Sequence, residues 1–158
     1  MQHCVETFSA PIRATLTLMS LVLLIVAIVF AALAALLHVF IFLMESVLWM
    51  RPATWKRFGL SSQEEAATIR PMALNQGFYN LFLAIGIFVA FFLLPHATLH
   101  LAGEMLILFC CGSMVAAALV LIISNRKLAR AAITQGIFPL LAVIALTILG
   151  VTVVTGTA

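Results

Sequence analysis

The chain has 158 residues, of which 65% are hydrophobic and 8% charged, and its mean hydropathy is +1.27. Charged residues make up about a quarter of an ordinary soluble domain, so this composition excludes a water-soluble globular surface, and the length suits one domain. The net charge of +3 is carried without a single aspartate, and the cations sit in a few short clusters.

Residues 1–13 are mixed in character, contain Pro11, and read as a tail or interfacial segment. Ala32-Leu33-Ala34 has the small residues of a signal-peptide cleavage site. The n-region holds only Arg13, however, and the apolar run exceeds a usual h-region, so the segment reads as uncleaved. The first membrane span is expected over about 14–50, charged only at Glu45, with Trp49 and Arg51 as interfacial anchors. A bilayer core needs about 20 helical residues, so this helix must tilt or project beyond the membrane. The loop that follows carries Arg51, Lys56, Arg57 and Arg70 with Glu64 and Glu65. Ser61 or Ser62 can cap a short surface helix in it, and Trp55 and Phe58 suit the headgroup layer.

The second span is expected over about 72–94, with Pro71 at its first helical position. Pro95 marks its far end, a short turn leads to a third span over about 97–124, and Asn125-Arg126-Lys127 forms a second basic turn. The fourth span covers about 131–154, followed by a small polar tail, 155–158. The expected fold is therefore all-α: a polytopic membrane protein with four transmembrane helices in one bundle, 14–154. Of the eight Lys and Arg residues, seven (Arg51, Lys56, Arg57, Arg70, Arg126, Lys127, Arg130) lie in the loops after spans one and three, and only Arg13 lies on the other side. The positive-inside rule then puts both termini on the non-cytoplasmic side. Of the three cysteines, Cys4 is remote from the adjacent pair Cys110-Cys111, and no metal-type spacing exists. All three read as unpaired, the buried two as small packing residues.

Polar residues inside the spans are the candidates for function. His38 and Glu45 lie seven residues apart, about two turns or roughly 10 Å along the axis, on a face that also carries Ala27, Ala31, Ala34, Phe42 and Trp49. Small residues admit a neighbouring helix, and ionisable groups must turn away from lipid. The second span opens with Asn75, Gln76, Gly77, Tyr79 and Asn80, and the fourth carries Gln135 beside Gly136. Counted inward from Arg51, Arg70 and Arg130, these groups share the cytoplasmic half at about 1.5 Å per residue. Pro139 deprives the Gln135 carbonyl of its helical partner. Buried Asn, Gln and Tyr are also ordinary interhelical glue, and Glu45 can pair with a loop cation. His38 is the hardest to explain as packing. On the opposite side His96, His100 and Glu104 recur every four residues, a ligand spacing for a divalent metal, against which stands a plain interfacial helix start.

His38-x-Phe40-Ile41-Phe42-x-x-Glu45-x-x-x-Trp49, followed by Asn75-Gln76-Gly77-x-Tyr79-Asn80-x-Phe82-Leu83-Ala84, resembles a small bacterial family of membrane proteins, number 1304 in the domain-of-unknown-function series. The resemblance covers roughly Ala27 to Val154. It implies four membrane helices, supports the topology above and brings no activity; the expected location is the bacterial inner membrane.

Three functions fit these residues. The first is small-molecule binding or permeation through a polar pocket lined by His38, Glu45, Trp49, Asn75, Gln76, Tyr79, Asn80 and Gln135, with His38 and Glu45 relaying protons. The second is a membrane enzyme doing acid–base chemistry, such as isomerisation, on a lipid-soluble substrate, with His38, Glu45 and Tyr79 as its catalytic groups. The third is a structural subunit of a membrane complex. Membrane lipid and a lipid-soluble or small polar ligand are the partners implied. The basic loops suit topology and anionic headgroups better than nucleic acid. No phosphate-binding glycine loop, H-E-x-x-H or G-x-S-x-G is present, and no cofactor is identified. The alanine-rich stretches Ala116-Ala117-Ala118 and Ala142/Ala145 suggest self-association as a homo-oligomer.

Overall fold

A computed structural model describes the backbone of residues 2–156 and the side chains of residues 14–155. The character of residues 1–13 as an interfacial tail, and the state of Cys4, involve side chains outside that range. Among the described residues the fold is helix and turn throughout. Helix α1 spans Gln2–Phe42 and passes directly into one π turn, Leu43–Val47, closed by the Leu48 amide donating to the Leu43 carbonyl at 2.8 Å. A short helix α2 (Pro52–Trp55) and a 3₁₀ turn (Lys56–Phe58) follow, then α3 (Gln63–Leu93), α4 (His100–Ser124), a second 3₁₀ turn (Arg126–Leu128) and α5 (Ala129–Gly156).

Four of these helical stretches are long and apolar enough to cross a membrane: Ala14–Val47, Gln63–Leu93, His100–Ser124 and Arg126–Thr155. The first, at 34 residues, is about 51 Å long against a hydrocarbon core of about 30 Å. They pack as a ring in which α1 touches α3 and α5, α4 touches α3 and α5, and α1 and α4 lie across the diagonal. Small residues set the spacing. Ala27, Ala31, Ala34 and Ala35 of α1 are fully buried, and Ala142 and Ala145 of α5 join the same core. A Cβ at Gly86 would strike the Cys110 sulfur at 2.6 Å, and one at Gly103 would meet the Ala90 carbonyl oxygen at 3.1 Å. With no hydrophobic drive between helices in lipid, such close backbone approach supplies the packing energy. Ala118, Ala142 and Ala145 are thereby used inside the bundle rather than on its outer surface.

Three boundaries differ from the sequence expectation. The first span ends at Val47, because Arg51 is extended and Pro52 opens α2. Ser62 does cap a helix, its hydroxyl accepting from the Glu65 amide at 3.1 Å while the Glu65 carboxylate accepts from the Ser61 amide at 2.9 Å. That helix does not stop at the surface, however. It runs unbroken into the second span, so Pro71 lies in the helix interior and not at its first position. The proline is tolerated there, leaving the Ala67 carbonyl without its i+4 donor. At the other end the chain turns through residues 94–99, and α4 starts at His100. Cys110 and Cys111 are buried free thiols, packed in the core as expected.

Candidate functional site

The two halves of the bundle differ. Toward the end opposite the basic loops, the facing residues are closed: Ala84, Ile87 and Ala90 of α3 and Ile107 of α4 have no exposed surface. Toward the basic end, the same faces continue as Leu83, Tyr79 and Gln76 on α3 and as Ala117, Leu121 and Ser124 on α4, and they line a cavity of about 710 Å³. All four long helices contribute to it. That volume lies in the range of small-molecule sites, about 300–1,000 Å³.

His38 enters from α1 and is only 2% exposed. Its Nδ1 lies 2.8 Å from the Ala34 carbonyl. A carbonyl can only accept, so Nδ1 carries the proton of that bond and the neutral ring keeps a lone pair on Nε2. Nε2 has no protein partner among the described residues, and it is the ring nitrogen left to meet a ligand. Glu45 sits one to two turns nearer the basic end, in the π turn, and is 8% exposed. It accepts from the Asn80 amide at 2.9 Å, and the same Asn80 nitrogen donates to the Gln76 carbonyl at 3.1 Å. π turns recur at functional positions because they re-aim side chains. Here the turn is seated against Gly77, where an added Cβ would overlap the Ser46 hydroxyl. Ser46 in turn donates to the Leu74 carbonyl at 3.3 Å, which ties the π turn to α3.

The cavity therefore brings together His38, Glu45, Gln76, Tyr79, Asn80 and Gln135. Trp49 and Asn75 lie outside it. A straight helix would keep Trp49 on the His38 face. The π turn inserts extra backbone and the helix ends before Trp49, which instead donates its indole N–H to the Ala66 carbonyl at 2.8 Å and packs on Phe58. Asn75 lies one turn before Tyr79, at the edge of the face formed by Gln76, Tyr79, Asn80 and Leu83, and is exposed outside the cavity lining. Tyr79 lines the cavity while remaining 53% exposed, so it flanks an opening. The His96/His100/Glu104 set is not brought together as a group of three ligands. His100 uses Nδ1 on the Leu94 carbonyl at 2.6 Å and Nε2 on Glu104 at 3.3 Å, and no group of three metal-binding side chains exists among the described residues.

Arg57 and Arg130 also line the cavity. In the sequence they are topology markers, and nothing in their spacing, 73 residues apart, announces convergence. Leu37, Ile41 and Met44, also in the wall, do follow from the helical period around His38.

A family model described as "Protein of unknown function (DUF1304)" matches residues 32–147. No curated protein and no solved structure matches the chain.

Proposed function

The chain belongs to the DUF1304 family, and we propose that this integral membrane protein binds a small molecule in its intramembrane cavity, with His38 and Glu45 available to move protons. The observation that carries the reading is the convergence of His38, Glu45, Gln76, Tyr79, Asn80 and Gln135, from three of the spans, on one cavity of about 710 Å³. Ionisable groups inside a membrane bundle mark sites by default, because each costs free energy that packing alone does not require. The closed far half, with Ile87 and Ile107 fully buried, supports binding over permeation through one chain. The clustering of Arg and Lys supports an orientation with the cavity mouth in the cytoplasm and both termini outside it, in a bacterial inner membrane.

A second reading, acid–base catalysis on a lipid-soluble substrate, is favoured by one detail. The Ala34 carbonyl holds the His38 tautomer whose Nε2 can accept a proton, and Glu45 lies about 10 Å along the same helix.

The test is native purification in lipid nanodiscs with mass spectrometry of what stays bound. Wild type should carry a stoichiometric small molecule that Leu83→Trp, which fills the cavity, displaces and Leu36→Trp, on the exposed face, does not. Equal retention by Leu83→Trp would overturn the binding reading. If chemistry occurs, the bound molecule should exchange a hydrogen for deuterium in D2O with wild type and not with His38→Gln, whose amide can still donate to Ala34. Equal exchange in both would remove His38 from any chemistry.

A further inference from the structure

We propose that the occupant of this cavity is a long-chain amphiphile with an anionic head group, held by Arg57 and Arg130 at the mouth, its chain leaving between α3 and α4 into the lipid. The proposal rests on the binding function above and specifies the class of ligand.

The mouth supplies the charge. Arg57 comes from the 3₁₀ turn after α2 and Arg130 from the start of α5, yet both reach the same cavity. Neither makes an ion pair or side-chain hydrogen bond among the described residues. Two guanidinium forks at one opening suit a carboxylate or phosphate, which each can bind through paired N–H donors. Arg126 and Lys127, equally basic neighbours in sequence, do not line the cavity. The convergence is therefore not a property of the basic loops in general. Glu45 is the one acidic group in the lining, and its carboxylate is engaged by Asn80, so an anionic head belongs at the arginines and not deeper.

The gap between α3 and α4 supplies the route for the chain. The two helices touch closely at Gly86 against Cys110 and at Gly103 against Ala90. On the α4 face, Ile107, Cys110 and Met114 are buried, whereas Ala117 and Ser124 further along are exposed. On the α3 face, Ile87 and Ala90 are buried, whereas Gln76 and Tyr79 are exposed. Ala73 and Gly77 of α3 and Ala118 of α4 stay buried at this end, with Gly77 against the π turn and Ala118 against Gly136 of α5, so the opening runs between the neighbouring Gln76 and Tyr79 on one side and Ala117 and Leu121 on the other. The walls of the opening are mostly apolar, with Leu83, Met114, Ala117 and Leu121, and they suit hydrocarbon. A water-soluble anion would leave those walls without a partner, and a neutral lipid would leave the arginines without one.

The experiment uses the full chain in phosphatidylcholine nanodiscs and two photoreactive probes, an 18-carbon fatty acid with a mid-chain diazirine and the corresponding alcohol. The acid should label peptides carrying Leu83 and Leu121 about tenfold more than the alcohol, a modest return for two charge-assisted contacts. Arg57→Gln with Arg130→Gln should abolish that preference, and Arg126→Gln should not. Excess oleate should compete and inorganic phosphate should not. Equal labelling by acid and alcohol, or labelling unchanged in the double variant, overturns the anionic head. Competition by inorganic phosphate overturns the tail, since a free anion would then be the ligand. If neither probe labels these peptides while a water-soluble molecule is still displaced by Leu83→Trp, this inference fails and the binding function stands. If nothing is displaced either, both fail.

Discussion

Gly77→Ala tests the contact on which the site geometry depends. A Cβ at this position would overlap the Ser46 Oγ and lie 3.2 Å from the Glu45 Cβ and 3.3 Å from the Phe42 carbonyl oxygen. Ser46 can rotate away, at the loss of its 3.3 Å hydrogen bond to the Leu74 carbonyl, a net contribution of roughly 0.5 kcal/mol. The Phe42 carbonyl cannot rotate away, because it belongs to the helix backbone where α1 meets the π turn. Overpacking of this kind costs about 1–3 kcal/mol. Against it, alanine gains up to about 1 kcal/mol over glycine inside a helix. The net expectation is a loss of about 1–2 kcal/mol. SDS-induced unfolding in mixed micelles, followed by circular dichroism, measures it. Ser46→Ala alone should cost less than about 1 kcal/mol. The double variant should be less destabilised than the sum of the two singles, because the methyl then enters the space the hydroxyl left. A Gly77→Ala protein as stable as wild type, or more stable, would refute the claim that α3 and the π turn are in limiting contact. Any shift of α3 should also pull Asn80 from Glu45, so ligand retention should fall together with stability.

Three further outcomes follow from single contacts. Trp49→Phe keeps the ring against Phe58 but removes the donor to Ala66, and should lower stability by about 1 kcal/mol in the same micelle assay; no change would mean the loop is not anchored there. Asn80→Leu deprives the buried Glu45 carboxylate of its side-chain donor and should cost about 1–3 kcal/mol, whereas Asn75→Leu, outside the cavity, should stay within about 0.5 kcal/mol; equal effects would deny the Asn80–Glu45 bond its role. Cysteines placed at Ser62 and Thr155 should react with a membrane-impermeant thiol reagent from opposite sides, and labelling of both from the periplasm would overturn the proposed orientation.

The membrane class, the four spans and the clustering of cations at one end follow from composition and local order, because lipid forces every span to satisfy its backbone within a helix whatever surrounds it. His38 and Glu45 could be placed on one face by period alone, since seven residues are close to two turns. The limits of that reasoning appear where the backbone departs from the ideal period or where distant segments meet. No residue type announces a π turn, and that turn took Trp49 off the predicted face and gave it to Ala66. Pro71 reads as a helix start because a proline is easiest to place there, yet the Ser62 cap and the continuing apolar packing carried α3 through it. Ala142 and Ala145 have the composition of any small-residue interface, and only the ring of helices decided that they are buried in the core of the bundle. The convergence of Arg57 with Arg130, and the cavity that the four long helices enclose around the polar layer, depend on how four rigid rods cross. Local periodicity specifies the face a residue occupies; only tertiary packing decides whether two faces touch or leave a space between them.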